Sequence, residues 1–238
     1  MAAIHPIARD RTFFTTMALV STLVVVLGFG PGFFRIVTDA TSVPLTAIYH
    51  LHGAVFALWM MLFVVQSALI ARGNRALHMR LGASGAALGF LMIVLGFWVT
   101  LHAARNGFGG PLGGLPDPIQ AMAIPFFDMF VFAPLFIAGL LCRRRAPEAH
   151  RRLMLMATVG GLLGAAIGRA PMFIGHPYRQ LVLYLVLVLA GPAYDLITRR
   201  RMHPAYLLAL LLCLLLLPNI RLWIGSTQWW HALAGALF

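Results

Sequence analysis

The residues of this chain whose types and spacing could do chemistry are His52, His78, His102 and His150, together with Asp128, Arg169 and Arg221. Each lies in or beside a long apolar run, where an ionisable group is costly enough to be a functional candidate by default. Two imidazoles at matched depth on facing helices are what a b-type haem needs as axial ligands. His78 with His150 meets that condition at one face. His52 with His102 is offset by about 8–10 Å along the membrane normal, and His50 with His102 is closer but lies at the very edge. His52 and Asp128 are also the pair that could hold a metal or carry protons, and Arg169 and Arg221 could hold an anionic group.

Depth places these residues. At 1.5 Å per residue, His52 and Asp128 lie about 10 Å inside the outer ends of their apolar runs. Arg169 and Arg221 lie about 24 Å and 22 Å from the inner starts of theirs. All four therefore share the outer third of the membrane, with Asn219 beside them and His50, His102 and His176 just above. Two readings follow. In one, Asp128 and Arg169 form an intramembrane ion pair while Arg221 snorkels to the outer surface. In the other, a polar pocket opens outward, with His52 and Asp128 binding a ligand or relaying protons.

The elements that must position these groups are membrane helices. Of 238 residues, 61% are hydrophobic and 10% charged, far too apolar for an ordinary soluble domain. Seven runs of about 20 apolar residues cover approximately 13–34, 45–71, 83–104, 121–142, 153–173, 181–197 and 206–225. Gly191-Pro192 and Pro218 interrupt the last two. The expected fold is an all-α polytopic transmembrane bundle forming a single domain.

The net charge of +12 comes from 18 arginines, with no lysine. They cluster before the first run and in every second loop: Arg9/Arg11, Arg72/Arg75/Arg80, Arg143–Arg145 with Arg151/Arg152, and Arg199–Arg201. That is a topology signal, not a nucleic-acid surface, and it places the N-terminus in the cytoplasm. An arginine-only, short chain of this kind fits a bacterial inner membrane, and the first run reads as an uncleaved helix. The two cysteines, Cys142 and Cys213, read as packing residues. No phosphate-binding loop, nucleophile elbow, Cys-x-x-Cys-His or His-Glu-x-x-His occurs.

Lesser features also carry expectations. His78, His150 and His203 lie at the inner face beside arginines, where contact with headgroups is the bland alternative. Asp195 is expected to meet Arg143–Arg145 or Arg199. Gln66 reads as an interhelical hydrogen bond and Trp59 as packing. Trp223, Trp229 and Trp230 read as an interfacial belt with His231 at the outer surface. The Gly- and Pro-rich loop 105–118 reads as a linker or a flexible cap.

An internal repeat is visible. Ala76-Leu-His78-Met-Arg80-Leu-Gly82 leads into the third run and Glu148-Ala-His150-Arg151-Arg152-Leu-Met154 into the fifth. Ser84, Gly85 and Gly89 follow one copy, and Gly160, Gly161, Gly164 and Gly168 the other, providing small-residue faces for close helix contact. Aligned on the histidines, spans 2–3 and 4–5 become parallel hairpins.

The stretch from His52 through these two elements resembles a group of uncharacterised bacterial inner-membrane proteins with a His-Arg-x-x-Gly element and a later His-Arg-Arg-x-Met element. More loosely, the four central helices are similar to transmembrane di-haem cytochromes of the b type, which implies haem ligation by histidines near both faces. Where that pattern has a histidine in the fourth span, this chain has Asp128. The functional expectation is a redox-type membrane protein binding haem b, quinone or metal. The alternatives are a small carrier for an anionic or lipid-like ligand, or an assembly partner of a membrane complex.

Overall fold

The computed structural model describes residues 6–38, 46–108 and 115–237, and among them every regular element is helical. The order is α1 (Pro6–Thr38), α2 (Ala47–Ala71), α3 (Arg75–Asn106), α4 (Pro118–Cys142), α5 (Pro147–Arg169), α6 (Pro177–Arg199), α7 (Ala205–Leu215), α8 (Pro218–Gly225) and α9 (Gln228–Gly235). The first six are long and apolar enough to cross a membrane, and α7 with α8, bent by 49° at their break, makes a seventh if the pair is counted as one span. The chain is a multi-pass helical bundle.

Several helices outrun their apolar segments, because hydrogen bonding and capping end a helix, not the hydrocarbon boundary. Asn74 starts α3 by accepting the Leu77 N–H at 3.1 Å, and Asp117 starts α4 by accepting that of Ile119 at 2.9 Å. Proline occupies the first turn of α4, α5, α6 and α8, where its missing N–H is harmless. Helix α5 stops at Arg169, short of the expected residue 173, and Pro171–Phe173 forms a separate 3₁₀ turn. Of the two interruptions expected, only one breaks a helix. Pro192 sits inside a continuous α6. Pro218 leaves Leu217 extended and starts α8, as the residue before proline prefers.

Helix α5 is the centre. Its apolar window has the lowest mean hydropathy of the spans, 1.2, yet is 72% buried, against 17–39% for the other five long helices. Glycine and alanine explain the inversion: they add little hydropathy but let neighbouring backbones come close. A methyl group placed on Gly161 would stand 2.9 Å from the Phe132 main chain in α4, and one on Gly28 in α1 would collide with the Ala166 carbonyl of α5. Helices α1, α4, α6 and α7 pack around this axis.

Trp59 of α2 reaches the axis, donating its indole N–H to Thr158 at 3.2 Å between the rings of Phe132 and Phe136. The perimeter is apolar and open, with Leu141, Ile197, Val94 and Met61 all exposed. Water would not tolerate so large an apolar surface, whereas a bilayer requires it.

The short α9 is not visible as a span in the sequence. Thr227 caps it by accepting the Trp230 N–H at 3.2 Å, and the Trp230 indole donates to the Ile119 carbonyl at 2.8 Å. The expected aromatic belt is thereby reduced to Trp223 and Trp229, which are exposed, while Trp230 is buried at 1%. His231 stays near the surface and meets Asp117 at 3.1 Å. The linker-or-cap reading of loop 105–118 falls in part on residues 109–114, outside the described residues.

Candidate functional site

The helix ends that carry the four arginine clusters converge. Arg11 at the start of α1 donates to the Ala71 carbonyl at the end of α2, at 3.4 Å. Asp10 of α1 receives Arg151 of α5 at 2.7 Å and Arg199 of α6 at 2.5 Å. The Tyr194 hydroxyl donates to its other oxygen at 2.8 Å, and the Tyr194 ring stacks on Phe13 at 4.0 Å. Deeper in, Arg152 grips Asp195 with two N–H groups at 2.8 and 2.7 Å, both side chains being at most 1% exposed. Arg152 also reaches Glu148 at 2.8 Å.

This corrects the expectation for Asp195, whose principal partner is Arg152, with Arg199 further off at 3.5 Å. Asp10 was not singled out from the sequence, and Glu148 and Arg152 only as members of the repeat and of an arginine cluster. A signal existed: three of the six acidic residues lie among the arginine clusters of one face, where a carboxylate is anomalous unless paired. His203, between α6 and α7, donates its backbone N–H to Asp195 at 3.2 Å and accepts the Ala205 N–H on Nδ1 at 3.1 Å. Burial and the neighbouring Arg152 hold its imidazole below the usual histidine range.

The same end holds the predicted histidine pair. His78 on α3 and His150 on α5 face one another with ring centroids 6.4 Å apart and planes at 79°. His150 Nδ1 is hydrogen-bonded to the Gly139 carbonyl of α4 at 2.8 Å, which leaves Nε2 uncommitted. His78 Nδ1 is buried without a hydrogen-bond partner, and so is Gln66 Oε1. Gln66 was expected to bridge helices through its side chain. Instead it is the Gln66 main chain that acts on His78.

The far end differs from expectation in its pairing. Asp128 of α4 binds Arg221 of α8, not Arg169. Arg221 is buried at 3%, so it does not snorkel. It is held further by the Leu216 and Ile124 carbonyls. The break at Pro218 is the physical reason: the bend re-aims α8 toward α4, against which Gly225 packs on the Gln120 main chain.

Arg169, the last residue of α5, donates to the Ala165 carbonyl of its own helix at 3.1 Å and lies over the Phe29 ring at 5.1 Å. Its charge still acts on both Asp128 and His52. His52 rests on Phe56 with centroids 4.1 Å apart, and its Nδ1 is buried with no partner. The structure thus gathers Asp128 with Arg221 in contact and sets Arg169 near both Asp128 and His52.

His102 stands apart from this group. It meets Thr46 at 3.5 Å, Tyr49 at 5.5 Å between centroids and Asn106. Among the described residues, no three His, Cys, Asp or Glu side chains are placed to hold a metal ion. His52 and Asp128 would supply two ligands and no third. No family model, curated protein or solved structure matches this chain.

Proposed function

We propose that the chain is a redox-type protein of the bacterial inner membrane in which His78 and His150 would hold a b-type haem near the cytoplasmic face. The observation that carries this reading is the 6.4 Å between the two rings. A direct N–H···N hydrogen bond would draw the centroids to about 5 Å. A metal held by both imidazoles would fit a spacing of this order.

The donor set fits haem better than a bare metal. A tetrahedral zinc site takes three or four protein ligands, and no such set stands among the described residues. A porphyrin brings its own equatorial nitrogens and asks the protein for two imidazoles. Bound there, it would supply one-electron transfer.

The rest is the work of the chain. Gly139 fixes the tautomer and tilt of His150 by accepting from Nδ1, as outer partners of ligating histidines do. For His78 it is the Gln66 main chain that hydrogen-bonds the ring. Helices α3 and α5 pack on α2 and α4, so the two imidazoles are delivered from different hairpins, as the repeat in the sequence implies.

The deciding experiment is the absorption spectrum of the detergent-purified protein expressed with haem precursor. A Soret band is expected, shifted or lost in both His78→Ala and His150→Ala and unchanged in His102→Ala. A colourless wild-type protein ends the proposal.

A second reading, an assembly partner for another membrane complex, is favoured by the completeness of the Arg152–Asp195 and Asp128–Arg221 pairs. It predicts that replacing either pair by apolar residues leaves the phenotype intact.

A further inference from the structure

Two arginines are fully buried in the helical bundle, and each has a carboxylate: Arg152 has Asp195 and Arg221 has Asp128. Arg169, half-buried at the end of α5, has none among the described residues. Its one hydrogen bond is to a carbonyl of its own helix, and Phe29 covers one face of the guanidinium. A guanidinium carries five N–H donors and stays charged, so most of its donor capacity is unused in a setting where an unpaired charge is expensive.

His52 adds a second unspent group. Its Nδ1 is buried and unpartnered, and the Arg169 charge is close enough to act on it. The two residues come from α5 and α2, and Phe29 from α1.

Next to each polar residue is a glycine with nothing against it. A methyl group added at Gly53 or at Gly168 would meet no atom within 4 Å. Other glycines of this bundle do the opposite: Gly28, Gly89 and Gly161 are filled tightly by a neighbouring helix. Glycine within a helix is unfavourable by about 1 kcal/mol relative to alanine, and here no protein contact offsets it.

We infer that Arg169 and His52 form a binding site for the anionic head of an amphiphile, a carboxylate or phosphodiester, whose hydrocarbon chain runs down the lipid-facing surface beside Gly53 and Gly168. The charge count supports a monoanion, because Asp128 is neutralised by Arg221 and one positive charge remains. The apolar perimeter supports an amphiphile, because Leu51, next in sequence to His52, and Phe33, one helical turn on from Phe29, are both exposed. The inference is independent of the histidine pair at the other end.

The test is native mass spectrometry of the protein in a neutral detergent, titrated separately with oleate, phosphatidylglycerol and phosphatidylcholine. One tightly bound oleate or phosphatidylglycerol is expected, and which of the two binds more tightly tells carboxylate from phosphodiester. Binding should weaken about tenfold or more in Arg169→Gln, the loss of one charge-assisted contact. Gly168→Leu should weaken it too while leaving the melting temperature unchanged, which keeps the test open if Arg169→Gln does not fold. Arg143, Arg144 and Arg145 replaced together by glutamine should leave it intact.

Equal retention of phosphatidylcholine, or unchanged binding in Arg169→Gln and Gly168→Leu, overturns the site. Tighter lipid binding in Asp39→Asn, a carboxylate outside the described residues, would also overturn it by revealing a counter-ion within the chain.

Discussion

Two ends of one bundle bury arginine in different ways. At the arginine-rich end, Asp10, Glu148 and Asp195 stand against Arg151, Arg152 and Arg199, and the contacts tie α1, α5 and α6 together. At the far end, among the described residues, Asp128 alone faces Arg221 and Arg169. Matched charges make a lock between helices. A surplus guanidinium does nothing for packing that a leucine would not do better, so it directs attention to a missing anion.

The strongest way to break this comparison is at Arg152. Truncating one partner of a buried pair strands the other charge and costs about 3–5 kcal/mol, whereas exchanging both for apolar residues is often neutral. Asp195→Leu should therefore lower the thermal unfolding midpoint in detergent sharply, and Arg152→Met with Asp195→Leu should recover most of it. A single variant that melts with the wild type would show that the lock is not one.

Asp128→Asn comes next. It strips Arg221 of its carboxylate but leaves the Leu216 and Ile124 carbonyls, so a loss of about 3 kcal/mol is expected. Arg169→Gln should cost far less in stability, since no ion pair is broken. If Arg169→Gln proves as damaging as Asp128→Asn, the two ends are alike after all and the surplus charge is structural.

How much of this could be read from the chain follows from the physics. Helices α1 to α6 are visible because each is a long apolar run between arginines, a signal that needs no tertiary context. The centrality of α5 is half visible: Gly160 and Gly161 advertise close contact, but not with whom. The depth count put Asp128 and Arg221 in one layer correctly and chose Arg169 as the partner wrongly. Depth fixes height and not azimuth, and the azimuth of Arg221 is set by the break at Pro218. Pro192 shows the converse, since nothing local distinguishes it from Pro218, yet α6 runs straight through it. Trp230 looked like its neighbours and is buried because α9 folds back on α4.

A smaller effect is expected at Asp10, which is 11% exposed while its partners Arg151 and Arg199 are 27% and 35% exposed. Solvent screens such pairs, so Asp10→Asn should cost about 1 kcal/mol or less. Its signature is local: hydrogen exchange should quicken in the first turns of α1 and not in α4. Uniform exchange across both helices would mean that α1 is held by Gly28 and Ala166 and not by charge.

The smallest effect separates the ends by pH. His203 accepts the Ala205 N–H that starts α7, which requires a neutral Nδ1, and its pKa in the fold is lowered. The unfolded chain, titrating near about 6.5, therefore binds the proton first as pH falls. The stability that His203 contributes is complete above about 6.5 and declines below it, toward the lowered folded value. Solvent access holds the decline to a few tenths of a kcal/mol. Unfolding midpoints between pH 7.5 and 5.5 should drift down in the wild type and less so in His203→Gln. An identical drift in the variant would assign it to other groups of the arginine-rich end.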